Sequence, residues 1–342
     1  MLYKNNAKIL FRTSGGRVSN KELGFGHIFR CINLAKKLPK NELFFLIEDY
    51  GNVKPLLKKN KFRNVIHLKN HIDVESDIAQ TSKIIKKYNI DLVIVDKYKT
   101  KKIFLKKINK ITKVVYITDL KEIDYQVDLI VNGFIGFKNK ICYNDHQTKL
   151  LLGPRYQILN EDFSKDSQTR KKYDLLVTFG GFDEKCIIDL FLERWEELSK
   201  KLKTIIILGP ATKKSKKIKH MKKKYSDNLI FKDQTTKMSK EMEYAKYGLC
   251  SGGLTTYEFT KRNVPFAIIC QEKHQLITAK EWAKRNIAKN LGIINKNTYV
   301  ELDKFLNEII QKKIKLNSNT NIIDGFGSKR VAREITKLIN IR

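Results

Sequence analysis

Short runs of Val, Ile, Leu and Phe recur along the chain, separated by stretches of helical length with polar periodicity. In the first half they are "AKILFRT", "ELFFLIE", "DLVIVD", "KVVYIT" and "VDLIVNG"; in the second, "YDLLVTFGG", "KTIIILG", "NLIFKD", "YGLCSGG" and "PFAIIC". A run that stays apolar at successive positions predicts a strand covered on both faces, and such strands alternating with helices form parallel sheets. Two series of them predict an α/β fold of two Rossmann-like, doubly wound domains facing across a cleft. Between the series, Gly153, Pro154 and the polar stretch 164–172 read as a linker. The expected domains are therefore residues 1–165 and 166–322. The tail "DGFGSKRVAREITKLIN" turns helical with apolar Val331, Ile335, Leu338 and Ile339, which predicts a closing helix within 323–342 that packs back across the linker. No repeat of solenoid period interrupts this plan.

Composition changes the picture little. At 342 residues and 42% hydrophobic content the chain is long and apolar enough for two folded domains. No apolar run approaches the roughly 20 residues needed to span a bilayer, and the start lacks the apolar stretch of a secretory signal. The expected setting is cytoplasmic, with no stable membrane association, and the expected state is a monomer. Cys31, Cys142, Cys186, Cys250 and Cys270 are widely spaced, without metal-ligand or CxxC spacing, and read as buried free thiols. The net charge of +33 raises a nucleic-acid partner, because clustered cations release counterions at phosphates. Only 12 of the 69 basic residues are arginine, however, the lysines run the whole length, and aromatic residues are not interleaved with them as stacking platforms. The densest run, "KKSKKIKHMKKK" at 213–224, reads as the solvated face of a helix. No nucleic-acid partner is expected, although the charge would attract a dianionic substrate.

In open α/β sheets ligands bind beyond the carboxyl ends of the strands, so the loops leaving the apolar runs hold the candidate chemistry. Three are unusual. After "AKILFRT" and a polar loop, Gly24, Phe25, Gly26 and His27 lead into an amphipathic helix. Glycines there admit a ligand to the backbone, and the helix start offers unpaired N–H groups. The stretch is neither a dinucleotide fingerprint nor a Walker loop. His27 is either a helix-start histidine bonded to its own backbone or a group that takes a proton from water. In "GLCSGGLTTYEF", Ser251, Gly252 and Gly253 precede a helix whose first turn carries Thr255 and Thr256, a cradle for a diphosphate. Glu258 would accept the two hydroxyls of a ribose; the competing reading is a capping box of Thr255 and Glu258. In "VTFGGFDEKC", Gly180, Gly181 and Asp183 again follow a strand. Asp96, at the end of "DLVIVD", reads equally as a cap or a catalytic group, with Tyr98 beyond it.

Taken together, "GFGHIFRCINLAKKL", "VDKY" at 95–98, "LLGPRYQILNEDF", "FGGFD", "SGGLTTYEF" and "DGFGSKRVAREI" occur in an order that resembles the UDP-sugar hydrolases of the pseudaminic acid pathway. That family cleaves UDP-2,4-diacetamido-2,4,6-trideoxy-β-L-altropyranose. It has the two-domain GT-B type fold and is related to the bacterial cell-wall N-acetylglucosaminyltransferases. The resemblance implies a UDP-sugar substrate, with His27 activating or orienting water at the anomeric carbon and Tyr98 on the sugar side. It implies that the Ser251 to Glu258 segment holds UDP, with Glu258 toward the ribose, and that neither cofactor nor metal is needed. The expected substrate-binding set is Arg12, Gly24, Gly26, Asp96, Gly180, Gly181, Asp183, Ser251, Gly252, Gly253, Thr255, Glu258, His274 and Gln275. Two departures stand out. "QEKHQ" places His274 where the family usually has asparagine before Gln275, and the loop "GGRVSNKEL" is longer than in the family. A transferase of the same fold that gives its sugar to an acceptor is the rival reading, and a charge-driven nucleic-acid-binding protein the remote one.

Overall fold

A computed structural model of the chain describes residues 6–16, 24–51, 53–119, 121–165, 169–183, 185–317 and 321–340. Residues 17–23 of the first loop and 166–168 of the expected linker lie outside the described residues. The chain divides into two compact units, Met1–Glu161 with Gly325–Arg342, and Asp162–Asp324. The division falls ahead of residue 165 for a local reason. The backbone oxygens of Asp162 and Lys165 both accept from the Arg262 guanidinium, and Asp162 also accepts from Ser239 Oγ, which ties this segment to the second unit.

In the first unit, strands β1 (Lys8–Gly16), β2 (Glu42–Tyr50), β3 (Asn64–Leu68), β4 (Leu92–Asp96), β5 (Lys113–Ile117), β6 (Leu129–Asn132), β7 (Lys140–Tyr143) and β8 (Lys149–Leu152) form one sheet in the order β3-β2-β1-β4-β5-β6-β8-β7. All pairings are parallel except β7 with β8. Helices α1 (Gly26–Ala35), α2 (Val53–Lys59), α3 (Val74–Tyr88) and α4 (Lys102–Asn109) connect the first strands. Leu10, Val93, Val95, Val114, Tyr116 and Ile130 point into one core beneath α3 and α4, whose Ile85, Phe104, Leu105 and Ile108 fill it. The sheet holds more strands than the apolar runs predict. The half-exposed β3 and the short, exposed β7 carry too little apolar character to be read as strands from sequence.

In the second unit, β9 (Tyr173–Thr178), β10 (Thr204–Leu208), β11 (Leu229–Asp233), β12 (Ala245–Cys250), β13 (Phe266–Cys270) and β14 (Ala288–Ile293) form a parallel sheet in the order β11-β10-β9-β12-β13-β14. Its helices are α5 (Ile187–Arg194), α6 (Lys216–Lys224), α7 (Met238–Glu243), α8 (Leu254–Lys261), α9 (Gln275–Lys284) and α10 (Lys296–Ile310). Helix α6 is the lysine run. Its cap is Ser215, it buries Ile218 and Met221, and Lys217 and Lys224 pair with Glu193 and Glu196, so the charges lie on a solvated face.

The last helix, α11 (Gly327–Asn340), returns to the first unit. Ser328 Oγ donates to Leu159 O at 2.5 Å, Lys149 Nζ binds the buried Glu334 at 2.7 Å, and Lys113 Nζ caps Leu338 O at 2.8 Å. Among the described residues no helix is long and apolar enough to cross a membrane. The cysteines are free, but only Cys31, Cys250 and Cys270 are buried. Cys186 is exposed because it stands in a left-handed turn (φ 52°) ahead of α5, and Cys142 is half-exposed on the edge strand β7.

Candidate functional site

Each sheet has one point at which the strand order reverses between neighbouring parallel strands inside the sheet. In the first unit the reversal lies between β1 and β4, where Thr13 and Asp96 are direct neighbours. In the second it lies between β9 and β12. Loops leaving the two strands at such a point part to opposite faces and leave a crevice, the usual ligand position in open α/β sheets.

At the first reversal, α1 starts at Gly26 with no side-chain cap and no acidic residue in its first turn. Its apolar face, Ile28, Cys31, Ile32, Leu34 and Ala35, is buried. Gly15 lets it approach β1, since a Cβ there would sit 2.6 Å from Ile28. This packing presents His27 to the strand end: Nδ1 lies 2.7 Å from Asp96 Oδ1. Asp96 is fully buried and caps no helix, because α4 is preceded by Lys101, which itself makes no side-chain cap. The two residues are thus partners: His27 binds a carboxylate and Asp96 holds an imidazole.

The carboxylate is itself held. One turn after His27, Arg30 donates from Nε to Asp96 Oδ2 and from Nη2 to Oδ1, both at 2.7 Å, and its Nη1 reaches Asp119 at 2.6 Å and 2.8 Å. Burial alone would raise the Asp96 carboxyl, but Arg30 and then His27 hold it down at about 2. An ionised carboxylate only accepts, so Nδ1 of His27 carries the proton and a neutral ring keeps its free lone pair on Nε2. The His27 side chain is 20% exposed. Arg30 was not singled out in the sequence. The available signal was an arginine on the apolar face of an amphipathic helix, where a cation needs a buried partner.

Other expected residues fall differently. Arg12 is fully buried, with Nε and Nη2 on Asp77, Nη2 also on Glu48 at 2.5 Å, and Nη1 on the Thr13 carbonyl at 2.8 Å. Lys97 completes the network by binding Glu48 and Asp77. The expectation of substrate contact at Arg12 is therefore corrected: its donors are spent inside the protein, joining β1, β2, α3 and the end of β4. Tyr98 is half-buried in the turn after Asp96, with Lys99 Nζ 4.8 Å from its ring centroid. Gly24 is half-buried, Gly26 exposed, and a Cβ on either meets nothing within 4 Å.

At the second reversal, the loops after β9 and β12 behave oppositely. Asp183 accepts from the N–H groups of Ile187 and Ile188, both at 2.9 Å, so it fills the start of α5. Burial raises its carboxyl against those two bonds. Substrate contact at Asp183 is likewise corrected to a capping role, and Gly180 and Gly181 become the turn that carries the cap, with Gly181 O accepting from Ala211 N at 3.0 Å. Helix α8, in contrast, starts after Gly253 with no side-chain cap and no acidic residue in its first turn. The capping box of Thr255 and Glu258 does not form. Thr256 supports the turn instead, donating to Gly253 O at 2.8 Å and accepting from Trp282 Nε1 at 2.9 Å. Ser251 and Thr255 are buried beside these open N–H groups, which suit an anion.

Gly252 must lack a side chain, since a Cβ would meet Gln275 Cβ at 2.8 Å, whereas one on Gly253 would meet nothing within 4 Å. Gln275 Oε1 accepts from Gln271 N at 2.8 Å, and Gln271 Nε2 reaches Phe179 O and Phe182 O, so Gln271 laces the loops after β9 and β13. His274 is exposed ahead of α9. Glu258, on α8, is partly buried and its carboxyl takes no hydrogen bond from the described residues; burial pushes it up to about 7. Among the described residues no group of three or more His, Cys, Asp or Glu is placed to hold a metal ion.

The difference between Gly252 and Gly253 is testable. Gly253→Ala should fold normally, at a cost of at most about 1 kcal/mol for the altered cap. Gly252→Ala, whose Cβ would meet Gln275 Cβ at 2.8 Å, should melt at a lower temperature than Gly253→Ala in thermal denaturation.

No protein-family model matches the chain. It is 28% identical over 295 residues to the spore coat polysaccharide biosynthesis protein SpsG of Bacillus subtilis, covering 80% of this chain and 81% of the relative. It is 24% identical over 283 residues to the UDP-2,4-diacetamido-2,4,6-trideoxy-beta-L-altropyranose hydrolase of Campylobacter jejuni, covering 81% and 97%. Among solved structures, MurG of Acinetobacter baumannii matches with a TM-score of 0.61 over 97% of this chain and 99% of that one, at 13% identity. The fold is thus of the GT-B type, two α/β domains each built on a largely parallel sheet. The two sequence relatives are both proteins of sugar metabolism.

Proposed function

We propose that this protein hydrolyses a UDP-linked 2,4-diacetamido-2,4,6-trideoxyhexose to UDP and the free sugar. The observation that carries the reading is His27, tied through Nδ1 to a buried, ionised Asp96 at the reversal of the first sheet. An imidazole so held is oriented as a base, and the Campylobacter jejuni relative has this activity in its name. Nε2 of His27 takes a proton from water as the water oxygen bonds to the anomeric carbon. The bond from that carbon to the β-phosphate oxygen breaks, and its electron pair leaves on UDP. The uncapped start of α8, with Ser251 and Thr255, would receive the diphosphate charge, and Glu258 the ribose hydroxyls. Helix N–H groups do this without a metal, so turnover should survive a chelator.

The deciding experiment is UDP release by the purified protein from a panel of UDP-sugars, without acceptor and with EDTA. The panel holds the altro-configured diacetamido sugar, its gluco relatives and UDP-N-acetylglucosamine. Release from the altro sugar supports the reading. Release only when an acceptor is added would replace it with a transferase.

Glu258 allows a separate check on the nucleotide half. Its folded pKa of about 7 stands above the usual carboxylate value of about 4.3. The folded state therefore binds more protons between these values, and stability falls as pH rises through that window. Glu258→Gln should raise the melting temperature at pH 8 and leave it unchanged near pH 4. At pH 8 it should also weaken UDP binding about tenfold, since an amide accepts poorly from two hydroxyls at once. A variant that is less stable at pH 8, with unchanged UDP affinity, would remove Glu258 from the ribose site.

A further inference from the structure

We propose that Arg30, braced by Asp119, is a positioning residue that fixes the tautomer and direction of His27 through Asp96. The inference rests on His27 acting as the base. Arg30 is 2% exposed and all three of its nitrogens are engaged, two on Asp96 and one on both oxygens of Asp119. Nη2 also stands 3.2 Å from His27 Nδ1. The result is a line of alternating charge, Asp119, Arg30 and Asp96, ending on the imidazole. Cys31 from α1 lies 3.8 Å from Asp96 Oδ2, leaving the guanidinium as the cation on this carboxylate.

The geometry of the fork is what does the positioning. A carboxylate held by a single hydrogen bond turns about its Cβ–Cγ bond, and the histidine turns with it. Two parallel N–H bonds from a planar guanidinium stop that rotation. They also keep Asp96 an acceptor, which forces the proton onto Nδ1. Asp119 does for Arg30 what Arg30 does for Asp96. Both of its oxygens accept from Nη1, which holds the guanidinium plane, while Asp119 stands half open at 51% side-chain exposure. Burying such a group is a poor source of stability, because desolvation cancels much of the attraction. The orientation of His27 is the gain that the arrangement delivers. A lysine at this position would keep the charge and lose the fork.

The test uses the full chain with Arg30→Lys and Asp119→Asn, read in two ways. Steady-state UDP release separates kcat from KM, and ¹⁵N NMR of the imidazole reports which nitrogen carries the proton without any turnover. In the parent, a single tautomer protonated on Nδ1 is expected. Arg30→Lys should lower kcat about 10- to 100-fold, the scale found for groups that orient a histidine, with KM within about twofold. Its ¹⁵N spectrum should show mixed tautomers. Asp119→Asn, a substitution at a half-exposed side chain that the fold should accept, should shift both readouts in the same direction by less. If Arg30→Lys fails to fold, Asp119→Asn decides alone. Parent-like kcat with an unchanged tautomer in the folded variants would overturn the proposal. A tautomer change in a protein that hydrolyses no UDP-sugar would uphold the positioning role and sink the hydrolase reading.

Discussion

Replacing His27 by alanine should lower turnover of the UDP-sugar by about 10² to 10⁴, the contribution of a positioned general base. UDP affinity should stay within about twofold, because the proposed nucleotide site lies on α8 of the second unit and His27 belongs to the first. Folding should also survive. Asp96 keeps the two bonds from Arg30, so no buried charge is stranded by the loss of the imidazole. The measurement is single-turnover UDP release beside calorimetric titration with UDP. Turnover equal to the parent would remove His27 from the chemistry, and a matching loss of UDP affinity would make it a binding residue.

The second large effect is expected at Asp96, where a change of one atom removes the charge that faces His27. In Asp96→Asn the NH₂ group must meet one arm of the Arg30 fork, Nη2 at the Oδ1 position or Nε at the Oδ2 position, because both oxygens accept from Arg30 and Oδ1 also faces His27. At the Oδ1 position it donates to His27 Nδ1, the proton moves to Nε2, and the lone pair that should receive the water proton is gone. At the Oδ2 position it breaks the fork, and His27 loses its ionised, fixed partner. A fall in kcat of about 10² to 10⁴ follows, comparable to the loss when a histidine base is forced into the wrong tautomer. UDP affinity should again be unaffected. Stability at low pH gives an independent reading. The Asp96 carboxyl is held at about 2, below its unfolded value of about 3.9, so its stabilisation is present above that value and is lost as pH falls through the folded one. The contribution is on the order of 2 kcal/mol at neutral pH. Acid denaturation of Asp96→Asn should lack this component. A variant with normal turnover would show that His27 needs no partner.

Much of this arrangement was legible before any coordinates. The apolar runs "DLVIVD" and "PFAIIC" became β4 and β13, because a strand buried on both faces must be apolar at every position. The edge strand β14, "AKNLGI", carries polar residues because one side of it is open, and that same openness hid it. His27 stands out in the sequence because glycines before a helix at a strand end are a local signal.

Pairing was not a local signal. Asp96 lies 69 residues from His27 and Asp119 lies 89 from Arg30, so nothing in either neighbourhood names the other. Arg12 and Asp183 were misjudged for the same reason. A charged residue at a strand end looks the same in sequence whether it awaits a ligand or is already satisfied by Asp77 or by the first amides of α5. The amino-acid order by itself determined which segments must be strands and helices, since burial and periodicity act over a few residues. Only the tertiary structure decided which polar groups are spent and which are left open, because a hydrogen bond needs its partner within about 3 Å, a condition that the fold alone imposes.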